Sequence, residues 1–370
     1  MTSEKSGQKK KLRCGFTTGA AAAAAAKAAV HCLLTDRTPE RVSIRLLTGR
    51  WIEIAVKQCN SIGRHSVRCT VVKDAGDDPD VTHGAEIGAC VTRLGERSGA
   101  ERVTITGGKG VGRVTKPGLE LSPGAAAINP GPVRMIREAV LDAAGRNFAG
   151  RLQVEVFVPQ GRQLAEKTLN ARLGIVGGIS ILGTTGVVRP MSHEAYTATI
   201  HSAMSVAHAA GCRRLVLTTG RRSERHAQQR WPDLPEEAFI QIGDYFGDAL
   251  KKAAEFGFRQ LILAVFFGKA LKMAQGAEHT HAARARLSLP ALARWCLAET
   301  GDRDLARRLS AANTAREAFG MLQQTAPGVL ALVARKVVQA ASLHTGRGTA
   351  NRCVLFDYQG QVAHDTESGD

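Results

Sequence analysis

The feature that most constrains the fold of this 370-residue chain is an alternation of strand-like and helix-like segments that begins at about Gly183. The predicted segments are a helix at 192–210, a strand at 215–218, a loop, a strand at 239–242, a helix at 244–256, a strand at 260–266, a helix after Gly268, a helical stretch at 290–343 and a strand at 352–358. Parallel strands need helical crossovers, so this order predicts a parallel sheet covered by helices. We therefore predict a Rossmann-like α/β domain over residues 183–370.

Residues 1–182 have a different pattern, which is typical of an α+β domain. The alanine run at 20–26 has high helix propensity, and Thr17 and Thr18 are suited to cap its start. Alternating apolar and polar residues on either side of Thr48-Gly49-Arg50 predict a hairpin, and Asn129-Pro130 precedes an amphipathic helix that ends near residue 144. Further strands are predicted at 66–73, 102–106 and 152–158.

The formal net charge of +17 favours an anionic partner, because a field of one sign concentrates opposite charges at the surface. Only 5% of the residues are aromatic, too few for base-stacking platforms, and the sequence has no recognised nucleic-acid motif. A small polyanion is therefore the favoured partner, and nucleic acid is not.

Several features of the sequence predict a cytoplasmic location. No apolar run approaches the roughly 20 residues that cross a bilayer, and residues 1–12 precede no apolar stretch, so we predict neither a membrane anchor nor a signal peptide. The eight scattered cysteines are predicted to be reduced and mostly buried thiols. The acidic tail after Ala363 is predicted to be loose, and a homo-oligomer is left open.

Four aspartates and a histidine crowd into residues 73–84, directly after a predicted strand. Such a loop could orient a cation, hydrogen-bond a substrate or place a proton acceptor, or it could be a solvated turn of Asp, Gly and Pro. The spacing does not match a calcium-binding EF-hand loop, so no resident metal is predicted.

A second loop, at residues 106–118, is rich in glycine and basic residues. Glycines let backbone amides converge on an anion, to which Lys109, Arg113 and Lys116 would add charge. The loop lacks the Gly-Lys-Ser/Thr ending of a phosphate-binding P-loop, so nucleotide hydrolysis is a weak interpretation. The alternative is a flexible hairpin with solvated lysines.

Small residues dominate a third stretch, at 170–192, where a ligand could lie against the backbone or where a tight linker could join two domains. In the second half, Thr218-Thr219-Gly220-Arg221 and Gly243-Asp244 follow predicted strands, at the edge where open α/β sheets bind ligands. The pair His279 and His281 lacks further metal ligands at suitable spacing and is interpreted as an ordinary polar turn.

Taken together, these segments resemble the CbiD family. The resemblance runs from Arg13 to about His281, and the sequences that carry it are Gly-Phe-Thr-Thr-Gly at 15–19, the loop at 73–84, Gly-Gly-Lys-Gly-Val-Gly at 107–112, Thr-Lys-Pro-Gly at 115–118, Ala-Ile-Asn-Pro at 127–130, the stretch at 168–192, Thr-Thr-Gly at 218–220, Gly-Lys at 268–269 and Thr-His at 280–281. The resemblance implies a two-lobed enzyme that uses S-adenosylmethionine to methylate carbon 1 of cobalt-precorrin-5B, giving cobalt-precorrin-6A in anaerobic cobalamin biosynthesis. This carboxylate-rich small-molecule substrate suits the positive charge.

On this basis we assign candidate site residues. Asp78 and His83 are the candidate proton acceptors, because Pro79 stiffens the turn beside Asp78 and a neutral imidazole titrates near working pH. The candidate cofactor-binding residues are Gly183, Thr184, Thr185, Gly186, Thr218, Thr219, Gly220, Gly243 and Asp244. The candidate substrate-binding residues are Thr17, Thr18, Lys73, Asp74, Lys109, Arg113, Lys116, Asn129, Lys269, Lys272, Thr280 and His281.

The chain departs from the family pattern at several positions, where polar groups are missing. The residues concerned are Ala20, Ala21, Ala125, Ala126, Phe266, Phe267, Ala282 and Arg286. Two alternatives to a methyltransferase stay open. The departures favour a non-catalytic tetrapyrrole-binding paralogue, which would bind the macrocycle without turnover. The loop at 107–112 suggests an anion-binding enzyme of phosphoryl chemistry, which would bind ATP with magnesium.

Overall fold

The computed structural model describes residues 12–95 and 101–367, and the chain divides into two units, Met1–His193 and Glu194–Asp370. The division falls later than the 182/183 boundary predicted from sequence. The reason is that the backbone of 182–186 is hydrogen-bonded within the first unit, where Thr17 NH donates to Gly186 O at 3.0 Å and Gly19 NH donates to Leu182 O at 2.9 Å.

The first unit mixes helices and short strands. Its helices are α1 (Thr18–Thr35), α2 (Pro130–Ala144) and α3 (Gly161–Ala165). Its strands are β1 (Gly15–Phe16), β2 (Arg41–Arg45), β3 (Trp51–Ala55), β4 (Gln58–Gly63), β5 (Ser66–Val72), β6 (Glu86–Leu94), β7 (Val103–Gly107), β8 (Gly110–Val111), β9 (Arg113–Val114), β10 (Arg151–Phe157), β11 (Ile175–Val176), β12 (Gly178–Ile179) and β13 (Val187–Val188).

A five-stranded sheet in the order β4-β5-β6-β10-β7 forms the centre of this unit, with β10 and β7 parallel and the other pairs antiparallel. Helices α1 and α2 contribute buried residues to the same core as the sheet. The predicted hairpin is confirmed as β2 and β3, and the predicted helices are confirmed as α1 and α2.

Helix α1 is buried because its side chains are small. The alanines at 20–26 are all 0% exposed, and a Cβ on Gly19 would lie 2.6 Å from Pro132 Cγ, so a larger residue there would collide with α2. By length and hydropathy alone α1 could cross a membrane, which the sequence interpretation missed. It is 72% buried inside this unit, as a core helix is.

One expectation about cysteines is wrong: Cys59 and Cys69 form a disulfide rather than two reduced thiols. They face each other across the antiparallel pair β4 and β5, with their Cα atoms 4.1 Å apart. Strand β4 was not predicted, so the sequence offered no reason to place these two cysteines side by side. The other six cysteines are free, and Cys32, Cys296 and Cys353 are buried.

The second unit combines a single sheet with eight helices among its described residues. The helices are α4 (His193–Ala209), α5 (Arg221–Arg230), α6 (Phe246–Glu255), α7 (Phe267–Ala274), α8 (Leu289–Thr300), α9 (Arg303–Ala311), α10 (Ala315–Thr325) and α11 (Pro327–Thr345). The strands are β14 (Arg214–Thr218), β15 (Phe239–Gln241), β16 (Gln260–Phe266), β17 (Ala350–Phe356) and β18 (Val362–Asp365), and a 3₁₀ turn spans Glu236–Ala238.

The sheet order is β15-β14-β16-β17-β18, with four parallel strands and an antiparallel β18. Alternate residues of each parallel strand face opposite sides, as the pleat requires. In β14, Leu215 and Leu217 join a large core with α4 and α6 to α11, whereas Val216 joins a smaller core with Ala227 of α5. Both faces are therefore covered by helices, and the parallel sheet predicted from the alternation is present.

Two segments of this unit differ from expectation. The predicted loop between β14 and β15 contains α5, whose sequence is so polar that only Ser223, Glu224 and Ala227 are buried. The start of the tail after Ala363 is ordered in β18, where the buried Asp365 carboxylate accepts hydrogen bonds from Arg352 and Arg230. Residues 368–370 lie outside the described part of the chain.

Candidate functional site

The acidic loop at residues 73–84 is built around a buried lysine. Lys73 is 1% exposed, and its Nζ lies 2.5 Å from Asp80 Oδ2. The Asp80 Oδ1 atom accepts hydrogen bonds from the NH and hydroxyl of Thr82 at 2.7 and 2.6 Å. Burial opposes ionisation of Asp80, but Lys73 and Thr82 outweigh it and hold its pKa below the usual range. Lys73 and Asp80 thus anchor the loop, and the buried Lys73 is not accessible to a ligand.

Two more aspartates of the loop bind Arg13, which precedes β1. The Arg13 guanidinium forms a two-pronged ion pair with Asp74, which keeps the pKa of Asp74 below its usual range. Arg13 NH donates to Asp77 Oδ2 at 2.7 Å, and Asp77 NH donates to Arg13 O at 2.9 Å. Asp74, a predicted substrate ligand, therefore fastens the N-terminal segment to the loop.

The two predicted proton acceptors differ from these neighbours. Asp78 Oδ1 accepts a hydrogen bond from Met191 NH at 2.9 Å, while His83 Nδ1 accepts one from Ala75 NH at 3.1 Å. Because Nδ1 is an acceptor, a neutral His83 carries its proton on Nε2. The His83 side chain is 52% exposed and lies 3.9 Å from Asp74 Oδ1. The His83 imidazole is thus an exposed group of this loop, with its Nε2 edge free of the Ala75 contact.

The glycine-rich loop at 106–118 uses several of its backbone amides in hydrogen bonds within the first unit. Gly108 NH donates to Val156 O at 2.8 Å, and Gly112 NH donates to Ile179 O at 2.8 Å. Gly110 has φ +76°, and a Cβ there would lie 1.9 Å from Val158 O. The glycines are needed because two backbones pass in close contact.

The basic side chains of this loop are more accessible to solvent than its hydrogen-bonded amides. Lys109 and Arg113 are exposed, and Lys116 is partly buried. The Arg113 guanidinium donates to Gly124 O, which orients it along the loop. Anion binding by these side chains stays a prediction.

The small-residue stretch pairs strand by strand with the rest of the first unit. Its strand β11 pairs with β9, β12 with β8, and β13 with β1. Thr18 Oγ1 accepts a hydrogen bond from Leu182 NH at 2.8 Å, and Thr17 Oγ1 caps α1 by accepting from Ala20 NH at 3.2 Å. The hydroxyls of Thr17 and Thr18, predicted to bind substrate, are thus engaged in the fold.

Within the turn at 183–186 the glycines are packed and the threonines are exposed. A Cβ on Gly183 would lie 2.3 Å from Thr17 Oγ1, and one on Gly186, at φ +86°, would lie 2.7 Å from Leu46 Cδ2. Asn129, at the start of α2, makes no side-chain cap, and its amide lies 3.4 Å from Glu120 Oε2. Gly183 and Gly186 therefore act in packing, and Thr184 and Thr185 are the exposed groups of this turn.

In the second unit, residues assigned separately to the cofactor and to the substrate lie together at the carboxyl edge of the sheet. Asp244, which follows β15, is paired with Lys269 of α7, and Thr280 Oγ1 donates to Asp244 Oδ1 at 2.7 Å. Thr280 is 0% exposed, and its NH donates to Asp244 O at 2.9 Å. Burial favours a neutral Asp244, but the hydrogen bonds from Lys269 and Thr280 prevail and lower its pKa.

Lys272 and His281 complete this cluster. Lys272 Nζ donates to Thr280 O at 2.9 Å, and burial together with the nearby Lys269 lowers the pKa of Lys272. His281 Nδ1 accepts a hydrogen bond from Ala283 NH at 3.2 Å. Both lysine ammonium groups are therefore engaged by the protein itself.

The turn at residues 218–220 is more open. Thr218 is 0% exposed, but a Cβ added to Gly220 would meet no atom within 4 Å, and α5 begins at the next residue. A helix N-terminus behind an open turn presents unpaired backbone NH groups to an anionic or polar ligand. Gly243, at φ +55°, is instead closed by Tyr196, whose hydroxyl would lie 2.5 Å from an added Cβ.

Sequence reasoning missed a buried carboxylate beside this turn. Glu224, in the first turn of α5, is 7% exposed and accepts a hydrogen bond from Gln241 Nε2 at 2.6 Å. The available signal was a polar segment directly after Gly220, but that segment was interpreted as a loop. Within residues 12–95 and 101–367, no three His, Cys, Asp or Glu side chains are grouped to hold a metal ion.

Two family models match this chain, one in its N-terminal half and one in its C-terminal part. Residues 5–190 match the model of the CbiD family, and residues 279–367 match that of the CbiD C-terminal domain. A crystal structure of cobalamin biosynthesis protein CbiD from Archaeoglobus fulgidus is 30% identical and aligns over 70% of this chain and 78% of that chain. Its TM-score of 0.38 is too low to establish a common arrangement of the whole chain.

Curated relatives cover nearly the full length. A cobalt-precorrin-5B C(1)-methyltransferase of Pelobacter propionicus is 43% identical, with 95% of each chain aligned. Proteins of the same name from Geobacter metallireducens and a Geobacillus species are 49% and 45% identical, over 83% and 85% of this chain and 86% of each relative. From these matches, the chain belongs to the CbiD family.

Proposed function

We propose that this protein is a methyltransferase of cobalamin biosynthesis that methylates carbon 1 of cobalt-precorrin-5B to give cobalt-precorrin-6A. The observation that carries the proposal is an identity of 43–49% over 83–95% of the chain to relatives of that name. The net charge of +17 supports it, since the substrate carries several carboxylates.

We infer that the methyl donor is S-adenosylmethionine and that the second unit, a Rossmann-like domain, binds it. The strand order supports this inference. The chain adds β15 on one side of β14 and then β16 and β17 on the other side, and sheets with such a reversal of strand order bind ligands at their carboxyl edge. Thr219 and Gly220 would lie against the ligand, and the N-terminus of α5 suits its carboxylate. Glu224 and Asp244 are acceptors suited to ribose hydroxyls and to an ammonium group.

The first unit supplies the acid–base group in this proposal. When bound, S-adenosylmethionine offers a methyl group on a sulfonium, which needs orientation and exclusion of water rather than a covalent nucleophile. His83 would donate a hydrogen bond to substrate from Nε2–H, and it would accept a proton at Nδ1 when its hydrogen bond from Ala75 NH is released. Asp78 keeps one carboxylate oxygen for substrate while the other holds Met191 NH.

Substrate carboxylates would be met in the first unit by the exposed side chains of the glycine-rich loop, Lys109 and Arg113, together with Lys116. Cytoplasmic location and the absence of a nucleic-acid partner are part of the same proposal. Ala20 and Ala21, two of the departures from the family pattern, are 0% exposed, so they belong to the packing of α1.

The test is anaerobic incubation of the purified protein with cobalt-precorrin-5B and methyl-labelled S-adenosylmethionine, followed by mass spectrometry of the macrocycle. One added labelled methyl group, located on carbon 1, is the expected result. A macrocycle that binds but gains no methyl group would instead support the non-catalytic paralogue.

A further inference from the structure

Three aromatic rings gather where β16 and β17 end in the second unit. Phe266 is the last residue of β16, Phe356 is the last of β17, and Tyr358 lies in the turn that follows. The centroid of Phe266 lies 6.2 Å from that of Phe356 and 6.1 Å from that of Tyr358, and the rings of Phe266 and Tyr358 are 17° from parallel. We call these three residues the ring cluster.

Two arginines from different helices lie over the ring cluster. The guanidinium carbon of Arg222, on α5, is 5.0 Å from the Phe266 centroid, and that of Arg316, on α10, is 4.8 Å from the Tyr358 centroid. Contact with an aromatic face holds a guanidinium in place without using its hydrogen-bond donors. Both arginines are exposed, so the donors of Arg316, and those that Arg222 does not direct to Tyr358 O, are accessible from solvent.

The turn that carries Tyr358 is itself fixed. Asp357 Oδ1 accepts hydrogen bonds from Gln359 NH at 2.9 Å and Gln361 NH at 2.8 Å, and Arg222 donates to Tyr358 O. A Cβ on Gly360 would lie 2.1 Å from the ring of His226, so α5 packs directly on this turn. A binding surface fixed in this way loses little entropy when a ligand arrives.

The position of the ring cluster is one where this kind of sheet binds ligands. The chain leaves β14 for β15 on one side and returns to β16 on the other, so the order of the strands reverses between β14 and β16. Ligands of open α/β sheets lie at the carboxyl ends of the strands beside such a reversal. Arg222 follows the end of β14, and Phe266 ends β16.

The lysines predicted to hold substrate carboxylates in this unit are engaged elsewhere. Lys269 is paired with Asp244, and Lys272 donates to Thr280 O. A carboxylate would have to displace these contacts, whereas Arg316 is oriented and exposed, and Arg222 directs only one of its nitrogens to Tyr358 O.

We propose that Arg222 and Arg316, held on the ring cluster, bind two peripheral carboxylates of a polycarboxylated tetrapyrrole. The identity of this ligand as the substrate rests on the proposed function, but the site does not depend on methyl transfer. The exposed parts of Phe266 and Tyr358 would contact the flat macrocycle between the two ion pairs.

The test uses uroporphyrin, a stable tetrapyrrole with carboxylates on every peripheral side chain, titrated against the whole protein by fluorescence. Arg222→Gln and Arg316→Gln should each raise its Kd by roughly tenfold or more, because each removes a charge-assisted contact. The double variant should also bind with a weaker dependence on salt. Arg225→Gln on α5 and Arg308→Gln on α9 remove exposed arginines outside the cluster and should bind like wild type.

Arg222 also supports the turn, so Arg222→Lys, which keeps the charge but loses the planar fork, is measured beside it, with the melting temperature of each variant. Weakened binding by Arg222→Lys at an unchanged melting temperature supports the site. Equal losses in the Arg225 and Arg308 variants, unchanged Kd in the double variant, or no uroporphyrin binding by wild type would each overturn the proposal.

The methyl-transfer assay separates this proposal from the proposed function. If the double variant loses uroporphyrin binding and the wild type does not methylate cobalt-precorrin-5B, the arginine site stands and the proposed function fails. If the double variant methylates with wild-type KM, the arginine site fails and the proposed function stands.

Discussion

The glycine-rich loop of the first unit and the Thr-Thr-Gly turn of the second unit are both built from small residues that follow a strand, but their glycines do opposite things. A Cβ on Gly110 would lie 1.9 Å from a backbone oxygen, whereas a Cβ on Gly220 would meet nothing within 4 Å. The first loop is closed on its own backbone, and the Thr-Thr-Gly turn is open at the edge of a parallel sheet. Glycine therefore marks close packing in one unit and an accessible surface in the other, and only the surroundings distinguish the two.

Replacing Gly110 by alanine should cause the largest loss. Both the positive φ and the collision with Val158 O are unfavourable, so we expect the free energy of unfolding to fall by about 3 to 6 kcal/mol. Gly124→Ala is the matched control, since its φ is +91° but its Cβ would meet nothing. Urea denaturation of both variants measures the difference, and equal losses would show that the loop is not closed by packing.

The next largest effect is expected for His83, whose side chain is exposed in the acidic loop. His83→Gln should lower kcat about a hundredfold if this imidazole moves a proton, while substrate affinity stays close to wild type. A proportional loss of affinity and stability with normal kcat would make His83 structural, as its neighbours Asp74 and Asp80 are.

The charged cluster of the second unit should be sensitive to acid. Asp244→Asn removes the pairing with Lys269 and should cost about 1 to 3 kcal/mol at pH 7. Because the pKa of Asp244 is lower in the folded than in the unfolded protein, its contribution is present above the ordinary carboxyl pKa and is lost as pH falls through the lower folded value. The stabilities of wild type and variant should therefore converge below about pH 4. A difference that stays constant down to pH 3 would contradict this.

The smallest effect is expected at the open glycine. Gly220→Ala should leave the melting temperature unchanged and weaken S-adenosylmethionine binding roughly tenfold in calorimetry, because the new methyl group occupies space kept for the ligand. Gly348→Ala, also with open space, is the control with unchanged affinity. Gly186→Val is unsuitable for this purpose, since its side chain would collide with Leu46 in the first unit.

Local patterns in the sequence were sufficient for much of the fold. The capped alanine helix, the β2–β3 hairpin and the parallel strands could be predicted because propensity, alternation and glycine turns all agree there. Helix α5 could not, because its ten residues include six of Arg, His or Glu and little apolar periodicity. The Cys59–Cys69 disulfide depends on the pairing of an unpredicted strand.

The sequence indicated individual polar residues of the candidate site but not their mutual contacts. Asp244 was assigned to the cofactor and Lys269 and Thr280 to the substrate, and the three lie in one cluster. The ion pair between Asp244 and Lys269 depends on side-chain rotamers, which a sequence pattern does not indicate. The contact of Arg222 with Phe266 joins residues that are distant in sequence, so no local pattern predicts it either. The same is true of Lys73, whose burial follows from its pairing with Asp80.

The position of Asp365 affects the order in which the units can fold during synthesis. The first unit closes when β13 pairs with β1, so its core is complete once residue 188 has emerged from the ribosome. The second unit needs β18, because Arg230 and Arg352 find their shared carboxylate only at Asp365. The parallel sheet itself needs β17, which ends at Phe356, so its apolar strands are exposed to chaperones and to aggregation during an interval in which the first unit can already be folded.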